Sequence, residues 1–211
     1  MKKGLFITFE GGDGAGKTTQ VNLLSDYIVN KGIDAVTVRE PGGVPVSEKI
    51  REIILDNVNT DMHNITEMLL YAASRAQLVS QIIIPALNEG KCVICDRFVD
   101  SSYVYQGLAR GLGIDVVKTV NDIATQRLIP DITFFIDLDP ETALKRRLAL
   151  TKPDRLEMED ISFHRMVYQG FATIANMYPD RIKRINASGK AEETFSQVKE
   201  YIDPLICRYT D

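Results

Sequence analysis

The feature that most constrains this chain is a glycine-rich loop that lies between a short apolar run and an amphipathic one. The loop reads GGDGAGKT over residues 11–18 and matches the pattern G-x-x-x-x-G-K-[ST]. The run before it, GLFITFE at 4–10, is typical of a buried strand. In the run after it, Val21, Leu24 and Ile28 share one helical face, and the pattern ends at Gly32. A strand, a glycine loop and a helix in this order predict a phosphate-binding loop in an α/β fold.

Apolar and amphipathic runs keep alternating along the rest of the chain, as strands and crossover helices do in a parallel sheet. We predict five strands, at 4–10, 35–39, 91–95, 132–137 and 181–186. Predicted helices cover 17–31, 46–55, 65–87, 163–174 and 192–202, and a further helix begins at 139–141. The 211 residues contain no internal repeat or low-complexity linker, so we expect one domain over 1–211. The expected fold class is α/β, a five-stranded parallel sheet with helices on both faces.

The glycine loop carries its own chemical prediction. Glycines allow backbone N–H groups to curl around phosphate oxygens, and the N-terminus of the following helix adds unpaired donors. In such loops the lysine, here Lys17, reaches the β- and γ-phosphates, and the hydroxyl at Thr18 coordinates Mg²⁺. The sequence therefore predicts that ATP and Mg²⁺ bind at the loop residues Gly11, Gly12, Asp13, Gly14, Ala15, Gly16, Lys17, Thr18 and Thr19.

Composition limits what else the chain binds. The formal net charge of −4 argues against broad binding to nucleic acid or to an anionic membrane, because either requires a dominant basic surface. Cys92 and Cys95 form a C-x-x-C, but they lie in a predicted buried strand with no second Cys or His pair nearby, so we interpret them as core residues. The N-terminal apolar run is shorter than a signal peptide requires, and no run reaches membrane-spanning length. We therefore expect a cytoplasmic protein.

The sequence lacks the characteristic motifs of two common classes of phosphate-loop protein. A GTPase would carry an Asn-Lys-x-Asp guanine reader, but Asn30 and Lys31 are followed by Gly32 and Ile33. A mechanical or helicase ATPase usually carries an acidic pair after an apolar strand, whereas the third predicted strand runs into an Asp-Arg pair at 96–97. The second substrate must therefore be inferred from residues outside the loop.

Polar residues follow the predicted strands at the edge where ligands bind in α/β sheets. The second strand runs into REPGG at 39–43, and the third into DRF at 96–98 and SSYVYQG at 101–107. On the long predicted helix, Tyr71 and Arg75 are four residues apart and share a face, where a ring and a guanidinium suit a flat base. Taken alone, each residue has a simpler interpretation: core packing for Tyr71 and a surface ion pair for Arg75.

Taken together and in order, the motifs resemble those of bacterial thymidylate kinases: FEGGDGAGKTT, REPGG, LLYAASR, DRF with SSYVYQG, and PDRLE. The resemblance extends from Leu5 to the final predicted helix, and the REPGG and DRF…YQG blocks are its most specific part. It implies a P-loop kinase three-layer fold with a short lid at about 145–160, and a homodimer. It also implies Mg²⁺-dependent transfer of the γ-phosphoryl group of ATP to dTMP, giving dTDP and ADP, in dTTP synthesis.

The resemblance implies a set of acceptor-site residues. Those expected to bind dTMP are Asp13, Arg39, Glu40, Arg51, Tyr71, Arg75, Arg97, Ser101, Ser102, Tyr105 and Gln106. Arg97 would hold the α-phosphate, since a fork of donors suits phosphate oxygens. Tyr71 would stack on thymine, and Tyr105 would exclude a ribose 2′-hydroxyl. Arg75 and Gln106 would hydrogen-bond the edge of the base.

Further roles implied by the resemblance concern the donor side and the metal. Asp13 would face the 3′-hydroxyl of dTMP. Asp96 would orient the acceptor or the Mg²⁺ water shell, and Thr18 and Asp96 are the residues expected at the metal site. Ala187 and Ser188, after the last strand, would form part of the adenine-side loop. The residues expected to act in catalysis are Lys17, Arg155, Asp96, Arg97 and Asp13.

The resemblance places a catalytic arginine in the lid, because positions 12–15 of the glycine loop include no basic residue. A well-placed arginine contributes about 10³–10⁵ in rate to phosphoryl transfer. Arg155, in PDRLE, is the first candidate, and Arg147 is the second and an additional ATP-binding residue. Both belong to a basic cluster formed by Lys145, Arg146, Arg147, Lys152 and Arg155. The alternative interpretation of this cluster is a solvated helix face.

Some positions depart from the family pattern, and two other functions stay open. Tyr71 replaces the usual Phe, Phe98 a frequent Tyr, and Val104 a small residue, so altered affinity is expected rather than lost function. The first alternative is another nucleoside monophosphate kinase, acting on dUMP, dCMP or GMP. The second is a phosphate-loop protein that binds ATP without transferring its phosphate.

Overall fold

Five short strands form one parallel sheet in this computed structural model, which describes residues 4–149 and 153–210, with the side chains of 208–210 left aside. The strands are β1 (Phe6–Glu10), β2 (Ala35–Arg39), β3 (Cys92–Asp96), β4 (Ile132–Asp137) and β5 (Ile182–Asn186). Their order is β2-β3-β1-β4-β5, and all neighbours are parallel. The predicted α/β fold with a five-stranded parallel sheet is confirmed.

Helices connect the strands across both faces of the sheet. They are α1 (Lys17–Asn30), α2 (Pro45–Leu55), α3 (Asn64–Leu78), α4 (Ile84–Asn88), α5 (Val99–Ser102), α6 (Ile114–Ala124), α7 (Pro140–Leu148), α8 (Ile161–Met177) and α9 (Ala191–Thr210). Asp139 caps α7 as its sequence predicts, because its carboxylate accepts the backbone N–H of Thr142 at 2.9 Å.

Two π-helical segments interrupt regular helix. The first, Val79–Ile83, joins α3 to α4, so the single helix predicted over 65–87 is three consecutive helical pieces. Pro85 at the start of α4 has no N–H to donate and crowds the preceding turn, which explains a change of bonding there. The second, Tyr103–Ala109, follows α5 directly and has no counterpart among the predicted helices.

Side chains of the central strand, β1, contribute to two apolar cores, one on each face of the sheet. Phe6 belongs to the core under α3, α4 and α8, whereas Ile7 and Phe9 belong to the core under α1 and α9. Cys92 and Cys95 are buried free thiols, one in each core, and burial raises the pKa of both. In the part of the chain that the structure describes, no helix is long and apolar enough to cross a membrane.

Candidate active site

The carboxyl ends of β1, β2 and β3 open into a cavity of about 410 Å³. Its lining includes most residues predicted from the sequence to bind nucleotide: Asp13, Gly14, Gly16, Lys17, Thr18, Thr19, Arg39, Glu40, Arg51, Tyr71, Asp96, Arg97, Ser101, Ser102, Tyr105, Gln106 and Arg147. The lining residues that were not predicted are Pro41, Leu55, Asp154, Leu156 and Glu157. The predicted residues outside this lining are Gly11, Gly12, Ala15, Arg75, Arg155, Ala187 and Ser188.

The glycine loop accepts hydrogen bonds from the lysine of its own motif, Lys17. The ammonium of Lys17 donates to the carbonyls of Gly11 and Gly12, at 3.1 and 2.7 Å. Burial and then the nearby charge of Arg97 lower the pKa of Lys17 to about 8. Gly16 has φ +100° immediately before α1, a left-handed conformation that favours glycine. The loop thus presents a buried cation and the N-terminus of α1 to the cavity.

Gly14 marks a close approach between the loop and α7. Its φ is +81°, and a Cβ placed on it would lie 1.9 Å from the carbonyl oxygen of Ala143. The same Cβ would lie 3.0 Å from the Cβ of Arg147. Because only glycine permits this contact, α7 packs directly on the loop and carries Arg147 to the cavity wall.

A hydroxyl and a carboxylate meet beside the loop. Thr18 Oγ1 donates to Asp96 Oδ2 at 2.7 Å, which joins the start of α1 to the end of β3. Oxygen atoms are the ligands that Mg²⁺ prefers, and it commonly takes one or two from protein and the rest from phosphates and water. The pair therefore fits the predicted magnesium site. The described residues contain no cluster of three or more His, Cys, Asp or Glu that could hold a metal by itself.

Arg97 lines the cavity and hydrogen-bonds to several of its neighbours. It has φ +69°, a left-handed conformation that is costly for a residue other than glycine. Its guanidinium donates to Gly11 O (2.9 Å), Ser101 Oγ (3.1 Å) and Asp13 Oδ1 (2.6 Å). The hydroxyl of Tyr105 reaches the other oxygen of Asp13 at 3.3 Å, and the guanidinium lies 5.4 Å from the Tyr105 ring centroid. Burial opposes ionisation of Asp13, but the charge of Arg97 outweighs it and lowers the pKa of Asp13.

Glu10 is a buried residue that the sequence analysis did not single out. It ends β1, and its carboxylate accepts the backbone N–H groups of Phe98 (2.8 Å) and Ser101 (3.1 Å). It also accepts the Ser101 hydroxyl at 2.6 Å. Burial and the charge of Asp100 raise the pKa of Glu10 to about 7. The one sequence signal was a glutamate at the end of an otherwise apolar strand. Through these hydrogen bonds, Glu10 stabilises the turn that carries Arg97.

Arg75 occupies a different environment from the one expected. Its side chain is 1% exposed and each guanidinium nitrogen already has a protein partner. It contacts Glu40 at 2.6 Å, Ser102 Oγ at 2.9 Å, Phe98 O at 3.1 Å and the amide oxygen of Asn121. Arg75 is therefore covered by neighbouring elements, whereas Tyr71, on the same helical face, lines the cavity. A direct contact between Arg75 and the base stays a prediction.

The two arginines predicted as catalytic candidates, Arg155 and Arg147, lie in different environments, and the catalytic role of either stays a prediction. Arg155 donates to the carbonyl of Ile54 at 2.9 Å and to Glu67 at 2.6 Å, and its side chain is 9% exposed. Its guanidinium is held by the buried carboxylate of Glu67, and Arg155 does not line the cavity. Arg147 lines the cavity instead and pairs with the buried Glu157. Of the remaining basic cluster, Lys152 lies outside the described residues.

Arg39, Arg51 and Tyr71 form another part of the cavity wall. Arg39 and Arg51 each donate to the carbonyl of Pro41 at 2.9 Å, and Arg39 also pairs with Glu48 at 3.0 Å. The hydroxyl of Tyr71 has no hydrogen-bond partner within 4–149 and 153–210, and burial raises its pKa. This wall combines a neutral ring with two cations, as a nucleotide requires.

The loop after β5 lies beside the first turn of α1. Ala187 donates its N–H to Asp137 O at 2.9 Å, and Ser188 is held by Asn186. Gln20 Nε2 donates to Ala191 O at 3.0 Å, which ties this loop to α1. Ala187 and Ser188 therefore lie on the α1 side and outside the cavity lining.

Comparisons with known proteins identify the family of this chain. The family model described as thymidylate kinase matches residues 9–198. The thymidylate kinase of Caldanaerobacter subterraneus subsp. tengcongensis is 56% identical over 97% of this chain and 97% of its own, and that of Clostridium novyi is 45% identical over 96% and 100%. The crystal structure of thymidylate kinase from Ehrlichia chaffeensis superposes with a TM-score of 0.76 at 33% identity, and the match covers 95% of this chain and 99% of that one.

Proposed function

This chain belongs to the thymidylate kinase family, and we propose that its cleft carries out the family's reaction with the residue roles that follow. The reaction is the ATP-dependent phosphorylation of dTMP. An oxygen of the dTMP phosphate bonds to the γ-phosphorus of ATP, the bond from that phosphorus to the β–γ bridging oxygen breaks, and ADP and dTDP result. The observation that carries the roles is that the glycine loop, Arg97 and Tyr71 line one cavity. Two nucleotides held there meet at their phosphates.

The glycine loop holds the donor phosphates in this proposal. Incoming phosphate oxygens replace the loop carbonyls as partners of Lys17, and the backbone N–H groups at the start of α1 bind the same oxygens. The loop of Ala187 and Ser188 contacts the adenine side. Its position against α1 supports this assignment.

Arg97 binds the phosphate of dTMP. Its fork of donors already spans the carbonyl of Gly11 and the carboxylate of Asp13, so it is aligned before the acceptor arrives. Arg39 and Arg51 extend the positive wall on the acceptor side. Asp13, engaged by Arg97 and Tyr105, faces the sugar, and the Tyr105 ring fills the space of a 2′-hydroxyl.

The base lies against Tyr71, with Gln106 at its edge. Ser101 and Ser102 line the same part of the cavity. One oxygen of Glu40 is also buried there and has no hydrogen-bond partner among the described residues, so it is available to a ligand donor. Tyr71 offers a neutral ring, and burial raises the pKa of its hydroxyl further above its usual value.

Charge on the transferred group is neutralised from two sides. Arg147 lines the cavity beside Gly14, and we assign the catalytic lid arginine to it rather than to Arg155. Thr18 and Asp96 would hold Mg²⁺, which supplies charge neutralisation of the phosphates when bound. Lys17 and Arg97 hold the two nucleotides in line.

A homodimer and a cytoplasmic location complete the proposal. Apolar side chains of α3 and α6 are exposed, including Leu69, Val116 and Ile123, which supports an interface between two copies. The free thiols of Cys92 and Cys95 suit a reducing compartment. Sedimentation velocity tests the dimer, since a monomer at micromolar concentration would contradict it.

A labelling experiment tests the proposed reaction. ATP labelled at its γ-phosphate is incubated with the protein, dTMP and Mg²⁺, and the products are separated. The label should appear in dTDP in equal amount to the ADP formed. Lys17→Met serves as the control and should abolish transfer without unfolding the chain. Release of label as free phosphate, independent of dTMP, would contradict the proposal.

A further inference from the structure

Glu67 is a buried carboxylate for which the proposed reaction gives no role. It lies on α3 one turn before Tyr71 and is 1% exposed. Its Oε1 accepts the side-chain amide of Gln106 at 3.0 Å, and its Oε2 accepts Arg155 at 2.6 Å. Arg110 approaches both oxygens at 3.4 Å. Glu67 therefore joins a residue of the cavity wall to two partly buried arginines.

An ionised carboxylate accepts hydrogen bonds and donates none. The –NH₂ group of Gln106 must therefore face Glu67, which settles an amide orientation that coordinates alone often leave open. Burial opposes the charge on Glu67, but Gln106, Arg155 and Arg110 outweigh it and lower its pKa. Ionised Glu67 thus holds Gln106 in a single orientation.

The carbonyl oxygen of Gln106 is left for the cavity. Gln106 lines that cavity, and no donor in the described ranges pairs with its carbonyl oxygen. The amide consequently presents an acceptor, not a donor, to anything bound beside Tyr71. An acceptor at this place pairs with a ring N–H and repels a bare ring nitrogen.

We propose that Glu67 is a positioning residue for base selection, which orients the Gln106 amide so that its carbonyl oxygen reads a ring N–H. This inference rests on the proposed function, in which Gln106 meets the edge of the base. Thymine carries such an N–H at N3, whereas N3 of cytosine is an acceptor. The nucleotide that isolates this difference is 5-methyl-dCMP, because it keeps the methyl group of dTMP.

The test variant is Glu67→Gln, which has nearly the same shape. Its amide can donate to Gln106, so the Gln106 amide is free to turn and present –NH₂ to the base. The ratio of kcat/KM for dTMP to that for 5-methyl-dCMP should fall about 10–100-fold, the effect of one misplaced hydrogen-bonding group. The fall should reside mainly in KM. The wild-type ratio is measured in parallel.

A matched control separates orientation from simple loosening of the cluster. Arg110→Gln removes a neighbour of Glu67 but leaves the Glu67–Gln106 contact and Arg155 in place. It should leave the ratio within about threefold of wild type. A fall equal to that of Glu67→Gln would make Glu67 a structural anchor only, and would overturn the inference.

The reversed pair provides a rescue. In Glu67→Gln with Gln106→Glu, the residue at 67 donates and the residue at 106 again turns an oxygen toward the base. The preference for dTMP should return toward the wild-type ratio. A double variant no better than the single one, or an unchanged ratio in a folded Glu67→Gln, would overturn the inference.

A measurement on the wild-type protein covers the case in which Glu67→Gln does not fold. The 3-deaza analogue of dTMP carries C–H in place of N3–H, at nearly the same size. Its KM should exceed that of dTMP by about 10–100-fold, and an equal KM would overturn the inference. Failure of the proposed function can be distinguished from failure of this inference, because the wild-type protein would then form no ADP in response to dTMP. The inference would in that case fail as well.

Discussion

Replacing Arg147 by alanine is the perturbation that most sharply tests the site geometry. Arg147 lines the cavity where α7 packs on Gly14 of the phosphate loop, whereas Arg155 contacts Glu67 and Ile54 outside the lining. Of the two candidates, Arg147 is the one that lines the cavity, and we therefore expect its guanidinium to meet the transferred group. Its loss should lower kcat far more than it raises the KM for dTMP, because the charge that it neutralises develops in the transition state.

The expected loss follows from the partner of Arg147. An arginine in this role contributes about 10³–10⁵ in rate. Arg147 is paired with the buried carboxylate of Glu157, which cancels part of its positive charge. We therefore expect the lower end, about 10³-fold, which corresponds to about 4 kcal/mol at 1.36 kcal/mol per factor of ten.

Stability must be separated from catalysis in this test. Arg147→Ala leaves Glu157 buried without its cation, which destabilises a protein by about 3–5 kcal/mol when a buried pair is broken. The kinetic comparison is therefore made between Glu157→Gln alone and Glu157→Gln combined with Arg147→Ala, since neither leaves an unpaired carboxylate. Single-turnover rates at saturating ATP and dTMP are measured on samples whose thermal unfolding shows that they are folded.

Arg155→Ala gives the opposite pattern in this account. It removes a cation from Glu67, so it should lower stability and raise the KM for dTMP through Gln106, with kcat reduced by less than about tenfold. The reasoning is refuted if Arg155→Ala lowers kcat about 10³-fold while loss of Arg147 changes it less than threefold. Arg155 would then leave Glu67 during turnover and supply the catalytic charge.

Three further outcomes follow from contacts in the cleft. Tyr105→Ala should lower the preference for dTMP over its ribonucleotide counterpart by about tenfold or more, in the ratio of kcat/KM values, because the ring no longer fills the 2′ space; an unaltered ratio would rule out the steric role. Glu10→Ala removes the acceptor of two buried backbone N–H groups, so it should lower the free energy of unfolding, measured by urea denaturation, by about 2–4 kcal/mol. The KM for dTMP should also rise. A loss of unfolding free energy below about 1 kcal/mol would contradict the role of Glu10. Lys17 has a pKa of about 8 in the free protein, and its charged form binds phosphate, so the Kd for ATP should rise with pH above about 8, by up to tenfold per unit. Calorimetry in buffers of different ionisation enthalpy should show proton uptake on binding there, and a Kd constant from pH 7 to 9.5 would refute this.

The sheet was predictable because its strands are short apolar runs with sharp boundaries. Ala35–Arg39 and Ile132–Asp137 have the predicted bounds, and the glycine loop lies between β1 and α1 as its motif requires. The π-helical segment Tyr103–Ala109 was not predicted because it departs from the 3.6-residue period on which such predictions depend. The helix α6 was also missed, although it is a regular α-helix whose spacing could have been recognised. The local sequence pattern thus predicts the strands and the glycine loop, but it does not predict irregular helix.

The environments of buried charges could not be read from local pattern. Spacing places Tyr71 and Arg75 on one face of α3, but it does not say which elements cover that face. Glu40 and Asn121, which pair with Arg75, come from distant parts of the chain. The same holds for Arg155, whose position is set by Glu67 and by the carbonyl end of α2. Such contacts depend on tertiary packing, which one sequence does not reveal.

The account is tested most directly by the initial rate of ADP release from Mg-ATP with each nucleoside monophosphate as sole acceptor. The panel consists of dTMP, dUMP, dCMP, dGMP, dAMP, UMP, CMP, GMP and AMP. The account predicts that dTMP dominates and that dUMP follows, because a single methyl group contributes only about 1–3 kcal/mol to discrimination. A higher rate with a cytosine or purine nucleotide, or ADP release that does not depend on an acceptor, would contradict it.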